Sequence, residues 1–525
     1  MNRTILVFSF AALAVFGQRQ QGQGQRQQGE QQQQTPPAAP GGAPPAAAGA
    51  AQFPAPPAVE KLSKTQHTAN IHGQQIAYTA TAGTLVLKRE DDRPRASIFF
   101  IAYTRDGVTD KTKRPVTFTF NGGPGSSSVW LHMGALGPKR VIMGDPEGRQ
   151  PAPPYQLVDN EDSPLAYTDL VFIDPVSTGF SRNAPGENPA QFHGLDGDLE
   201  SVSDFIRLWT TRFERWSSPK YLAGESYGTT RAAGLSSTLI QRHGMYLNGI
   251  TLISSILNFA TARFDVGNDL PYILFLPTYT ATAWYHKKLP ADLQGDLQKA
   301  VNEARRFALN EYSVALMKGD KITAKEKTDA ARQVARLTGL SQKYVESSNL
   351  RIQIQRFTKE LLRDQRRTVG RYDSRIEGID LDAAGERSEY DPSYSVVQGA
   401  YTAMFNDYVR GQLKWESDLP YEILTGRVQP WNYGRFTNSY VNVAEGLRSA
   451  MTQNPALKVL IANGYYDLAT PFFATEYTVN HMGLDPALQN NVSLTYCEAG
   501  HMLYTRKSCL ESLGKSMATF YGAGK

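Results

Sequence analysis

Cysteine is nearly absent: 525 residues hold two, Cys497 and Cys509. Two thiols build neither a disulfide-dense scaffold nor a multi-cysteine zinc or iron–sulfur site. An excess of one charge is missing as well. Lys+Arg 55 against Asp+Glu 50 leaves a formal net charge of +5, too little at this length to make nucleic acid the default partner. No apolar stretch reaches 18 residues, so none reads as a transmembrane helix. What is present is apolar material, 41% of residues, enough to bury one large core or two ordinary ones.

The front of the chain is of a different kind. Arg3 precedes a 12-residue apolar run, 5–16 (ILVFSFAALAVF), followed by Gly17 and a polar stretch. A charged start and a short apolar run describe a secretory signal peptide, 1–17, and imply an exported protein, periplasmic or secreted, with no stable membrane insertion after cleavage. No cysteine lies nearby to accept a lipid. Residues 18–57 are Gln/Gly-rich, then Pro/Ala-rich. With almost nothing to bury they read as a disordered linker, leaving 58–525 as the folded part. Deleting 1–57 is therefore expected to leave the melting temperature and activity of the remainder unchanged, as thermal denaturation and an activity assay on the truncated chain would check.

Within 58–525, short β-branched runs alternate with helical patterns. The runs are 116–120 (VTFTF), 170–174 (LVFID), 221–224 (YLAG), 250–254 (ITLIS), 458–462 (KVLIA) and 492–497 (VSLTYC). Helical patterns at 199–215 and 229–242 lie between them. This alternation predicts an α/β fold with a mostly parallel central sheet and helices on both faces. Residues from about 260 to 440 are long, charged and helical, which reads as a helical cap inserted between two strands.

Chemistry enters at Gly224-Glu225-Ser226-Tyr227-Gly228. A lone G-x-S-x-G is weak, but here a strand leads in and a helix leads out, the setting of a nucleophile elbow. A nucleophilic serine needs a base, and the base needs an orienting carboxylate. His501 follows the last strand through Glu498-Ala499-Gly500, and Asp467 follows the preceding strand through Tyr465-Tyr466. Each residue leaves a parallel strand toward the same sheet edge, in the order Ser226, Asp467, His501. Alone, His501 reads as a loop histidine and Asp467 as a turn former; order and context make them a catalytic triad. Asn121-Gly122-Gly123-Pro124-Gly125-Ser126-Ser127-Ser128 follows the strand VTFTF. It lacks the Gly-Lys-Ser/Thr ending of a phosphate loop. It reads instead as the loop giving one oxyanion-hole N–H, from Gly123, with Tyr227 giving the other.

These motifs resemble those of the serine carboxypeptidase family. NGGPGSSS is followed by Gly137-Pro138, an approximate third motif in FIDPVSTGFSR, then GESYG and AGH, with Asp467 in NGYYDLATP. The resemblance runs from about Thr117 to Tyr504, weakest in the cap. It implies an α/β-hydrolase acting as a serine carboxypeptidase on peptides, needing neither metal nor cofactor. Ser226 would be nucleophile, His501 base and Asp467 its orienter, while Asn121, Gly122 and Glu225 would bind the terminal carboxylate.

Two departures stand out. Ser126 occupies a position where the family usually has cysteine, which makes the chain similar to the bacterial branch and leaves Cys497 and Cys509 either bridged or free. Ten residues past Gly125 the family places a Glu partnering the one before the nucleophile; here it is Ala135. Deprived of a like-charged neighbour, Glu225 is expected to ionise readily, with Arg231, Lys139 or Arg140 offsetting its charge. Other readings differ in class. An esterase or acyltransferase would use the same triad, whereas a catalytically dead binding module would not keep all three members. The basic stretch 351–375 is interleaved with Glu and Asp and reads as a solvated cap helix.

Overall fold

Val116–Phe120, Asp169–Ile173 and Gly249–Ser255 are buried along their whole length. Strands covered on both faces read as continuous apolar runs, which is why these stretches are so legible in sequence. The computed structural model describes residues 55–144 and 151–523; the expected signal peptide and nearly all of the linker lie outside them. Numbered along the chain, the strands of the main sheet are β1 (Lys61–Ile71), β2 (Gln74–Lys88), β3 (Pro94–Arg105), β4 (Val116–Phe120), β5 (Asp169–Ile173), β6 (Lys220–Ser226), β7 (Gly249–Ser255), β8 (Lys458–Gly464) and β9 (Val492–Cys497). Their spatial order is β1-β2-β3-β5-β4-β6-β7-β8-β9, with a two-residue strand, Arg182–Asn183, pairing with β3 off this path.

From β5 to β9 every pairing is parallel. All six of these strands therefore end at one sheet edge, where ligands gather in open α/β folds. The other flank, β1 to β3 and its junction with β5, is antiparallel. The sequence reading named none of these three strands. β1 and β2 are joined through His72 and Gly73, both at positive φ, the backbone of a tight hairpin turn.

Side chains alternate between two cores. Phe118, Leu222, Ile250, Leu252, Val459 and Ile461 enter one, against the helices α1 (Leu195–Arg212) and α2 (Tyr227–His243). Ala223, Ile253, Leu460 and Ala462 enter the other.

The long connection from β7 to β8 is divided. Its first half, led by α3 (Leu270–Tyr285), forms a third core with Phe275, Val301, Val334 and Phe357, into which Tyr466, Leu468 and Phe472 also pack. Its second half returns to the sheet. The helix α4 (Pro392–Gly411) buries Ala400, Tyr401, Phe405 and Tyr408 in the second core, and α5 (Ala444–Gln453) buries Leu447 and Met451 in the first. Among the described residues no helix is long and apolar enough to cross a membrane.

Candidate active site

Ser226 is the last residue of β6 and the cap of α2, held at φ 61°, ψ −130°. A side chain rarely adopts that backbone, and it persists because the surroundings dictate it. A Cβ on Gly224 would overlap the Gly228 carbonyl oxygen, and one on Gly228 would come within 2.6 Å of Phe120 O. Both glycines of the motif are thus required by close backbone approach. The NGGPG loop presses on the same turn, since a Cβ on Gly122 would overlap Tyr227 N. Gly123 follows at φ 102°. Neither the Gly123 nor the Tyr227 N–H donates to a protein acceptor among the described residues. Two adjacent, unengaged N–H groups beside a serine, one at a helix N-terminus, suit a developing oxyanion. Gly122→Ala is expected to lower activity at least 100-fold, of the order of an oxyanion donor's loss, and to destabilise the fold by roughly 1–3 kcal/mol through overpacking. Turnover and urea unfolding of the variant check both.

Asp467 and His501 meet directly. His501 Nδ1 lies 2.8 Å from Asp467 Oδ2, and both side chains are buried. The carboxylate also accepts from the N–H groups of Ala469 and Thr470, at 2.8 and 3.0 Å, and from Thr470 Oγ1 at 2.7 Å. An acceptor-only carboxylate fixes the proton on Nδ1 and leaves Nε2 as the basic nitrogen. Burial depresses the pKa of His501, but the Asp467 and Glu225 carboxyls outweigh it and the net shift is upward.

Strand register brings the Ser226 turn toward this pair. Ser255 on β7 pairs with Ser226, and Ser254 Oγ donates to the His501 carbonyl at 2.6 Å. Ser226 Oγ itself makes no protein hydrogen bond among the described residues. Catalytic hydrogen bonds of ligand-free sites often tighten only when substrate binds.

Glu225 departs from expectation. It is 2% exposed, and burial, with a smaller contribution from Asp467, pushes its pKa up to about 7 despite His501, Tyr504 and Asn121. The absence of a carboxyl at Ala135 does not let it ionise readily, because desolvation alone disfavours the charged form. Phenols surround it instead. Tyr504 Oη donates to Glu225 Oε2 at 2.7 Å, and Tyr401 is close enough to feel its charge. Ala135 is buried in the turn Leu131–Leu136, its carbonyl taken by Asn160. Two of the expected cations are engaged elsewhere: Arg231 binds Asp198 at 2.8 Å and the Asn121 carbonyl at 2.6 Å, while Lys139 binds Asp159. Asn121 is buried and also accepts from the Leu131 N–H at 3.0 Å.

One functional element escaped the sequence reading. A strap at 371–374, deep in the β7–β8 connection, bonds to both loops of the Asp–His pair. Arg371 O accepts from Leu468 N at 3.0 Å, Tyr372 O from His501 N at 2.6 Å, and Ser374 N donates to Tyr466 O at 3.0 Å. These three are backbone bonds that RYDS does not advertise; Asp373 Oδ2 also accepts from Gly500 N at 3.2 Å, and Ser374 Oγ donates to Tyr466 O at 3.0 Å. Cys497 and Cys509 are disulfide-bonded, with Cα atoms 5.9 Å apart, across the loop holding His501. Among the described residues no three His, Cys, Asp or Glu side chains are grouped to hold a metal.

The family model for serine carboxypeptidase matches residues 74–524. This chain belongs to the serine carboxypeptidase family. Its fold is that of the α/β-hydrolases, and a crystal structure of KEX1(delta)p, a prohormone-processing carboxypeptidase from Saccharomyces cerevisiae, superimposes with TM-score 0.51. That likeness covers 85% of this chain and 91% of the other at 16% identity. Serine carboxypeptidase-like 45 of Arabidopsis thaliana is 26% identical over 212 residues, 38% of this chain and 41% of that protein. Pheromone-processing carboxypeptidase KEX1 of Saccharomyces cerevisiae is 33% identical over 157 residues, 28% of this chain and 20% of that protein. The aligned stretches thus span less than half of these two relatives.

Proposed function

We propose that the protein is a serine-type carboxypeptidase that hydrolyses the last peptide bond of peptides through an acyl-enzyme. Ser226 attacks the scissile carbonyl and His501 Nε2 takes its proton, later passing it to the leaving amino acid. Asp467 holds the imidazole and stabilises its cationic form. The N–H groups of Gly123 and Tyr227 receive the oxyanion. Asn121, Gly122 and a protonated Glu225 face the terminal carboxylate. The observation that carries this reading is the strained Ser226 turn opposite a buried His501–Asp467 pair, inside a family of carboxypeptidases. Export, to the periplasm or outside the cell, belongs to the same proposal and rests on residues 1–17.

Mass spectrometry of an unbiased peptide mixture tests it, with Ser226→Ala as control. Stepwise loss of residues from carboxyl ends is expected. Internal cuts would overturn the exopeptidase reading, and ester hydrolysis without peptide cleavage would replace it with an esterase or acyltransferase.

A further inference from the structure

A terminal carboxylate entering this site approaches the buried carboxyls of Asp467 and Glu225, so a nearby cation would strengthen its binding, above all where Glu225 is ionised. The cations packed around the centre are mostly taken. Arg231 is paired with Asp198, Lys139 with Asp159, and Arg375 holds Asp373 and the Glu498 carbonyl. Arg371 differs, having no carboxylate within ion-pair distance among the described residues.

Its placement follows from the strap. The Arg371 N–H bonds to Asp391 Oδ1 at 3.2 Å and its carbonyl accepts from Leu468 N at 3.0 Å, so the backbone is anchored on both sides. The guanidinium carbon stands 5.1 Å from the centre of the Tyr372 ring, and that ring lies 5.2 Å from the ring of His501. The cation is one aromatic ring removed from the imidazole and is partly exposed. His501 must hand its proton to the leaving nitrogen, so the leaving residue lies against His501. The strap packed on His501 therefore borders that residue, whose carboxylate is two bonds from the nitrogen.

We infer that Arg371 is a specificity-determining residue that anchors the free carboxylate of the departing amino acid. The inference rests on the carboxypeptidase reading and adds a cation to the contacts of Asn121, Gly122 and Glu225. A guanidinium offers two parallel donors to a carboxylate and loses that partner when the peptide end is amidated. Tyr372, stacked under the guanidinium, limits where the fork can turn. Among the described residues Arg140 also lacks a carboxylate within ion-pair distance; it bears on the charges of Tyr401 and Asp162 rather than on His501.

The test compares one peptide as free acid and as amide, in two formats. In the Ser226→Ala background, calorimetry reads binding without turnover. In the otherwise unaltered enzyme, kcat and KM are read for both forms, with Arg371→Gln, Arg371→Lys and Arg140→Gln beside it. The free acid should bind more tightly than its amide, and Arg371→Gln should reduce that preference on the order of 10- to 100-fold, the worth of one charge-assisted contact. The loss should fall on KM rather than kcat, and Arg371→Lys should restore part of it. An unchanged preference in Arg371→Gln, or its loss in Arg140→Gln instead, overturns the inference. So does a Ser226→Ala protein that binds acid and amide alike. Acid-selective binding without peptide cleavage by the active enzyme would sink the carboxypeptidase reading but leave the Arg371 anchor standing.

Discussion

Ser226→Ala and His501→Ala are each expected to lower turnover by on the order of 10^4 to 10^6, and combining them should cost little more. The reason is mutual dependence. Without His501 the Ser226 hydroxyl keeps its proton, and without Ser226 the base has nothing to activate. Asp467→Asn should cost somewhat less. Its carboxylate both fixes the imidazole proton on Nδ1 and steadies the cation, and an amide can present the wrong face to that nitrogen. Because Asp467 also binds the Ala469 and Thr470 N–H groups, the Asn variant should lose stability as well as rate. Steady-state kinetics of the single and double variants decide the matter. A double variant that multiplies the two single losses would mean the residues do not act as one unit.

Glu225→Gln is expected to change the pH dependence of both stability and substrate choice. The carboxyl has a folded pKa near 7 against an ordinary value of 4.5. The folded state thus holds an extra proton between these values, and stability falls as pH rises through that window. Its contribution is complete below about 4.5 and lost above about 7, a change of roughly 3 kcal/mol for such a shift. The neutral Gln variant should lack this decline, so urea midpoints measured from pH 4 to 8 should converge at low pH and favour Gln at high pH. For free-acid substrates, kcat/KM should rise as His501 loses its proton and fall as Glu225 loses its own. The two apparent values belong to the coupled pair rather than to either residue. Peptide amides, having no charge to repel, should lack the alkaline limb. A wild-type limb that survives in Glu225→Gln would remove Glu225 from carboxylate binding.

Most strands of the parallel half were legible because they are buried on both faces, and the partly buried edge strand β9 through its β-branched and aromatic residues. VTFTF and VSLTYC match β4 and β9 residue for residue, and the others are displaced by one or two residues at an end. In the antiparallel flank β1 was hidden, because TQHTANI alternates polar and small side chains with little apolar contrast, whereas the SIFFIAY run of β3 is as apolar as the parallel strands and was passed over. The cap was seen as one block because its helices share a charged composition; which of them return to the sheet is decided by partners far along the chain. Asp467 and His501 were found through chain order and context, since each lies just beyond the end of a parallel strand. The raised pKa of Glu225 was hidden for a different reason. Counting the missing partner at Ala135 addresses charge, whereas the shift comes from burial, which no motif records. The strap at 371–374 left little signal because its main bonds to the two loops are made by carbonyls and N–H groups that every residue carries, and the side-chain contacts of Tyr372, Asp373 and Ser374 join partners far along the chain.

The bond between Cys497 and Cys509 encloses Glu498-Ala499-Gly500-His501 in a small covalent ring. A loop of this size withholds about 3 kcal/mol of chain entropy from the unfolded ensemble in the entropic description. The local effect is separate. Cys497 ends β9 and Cys509 lies in the first turn of the closing helix, Lys507–Phe520. When the histidine loop opens, its two ends stay clipped between strand and helix, so the excursion is short and the imidazole returns to the same carboxylate. Reduction is thus expected to lower activity at reductant concentrations that leave the far-ultraviolet circular dichroism of the sheet unchanged.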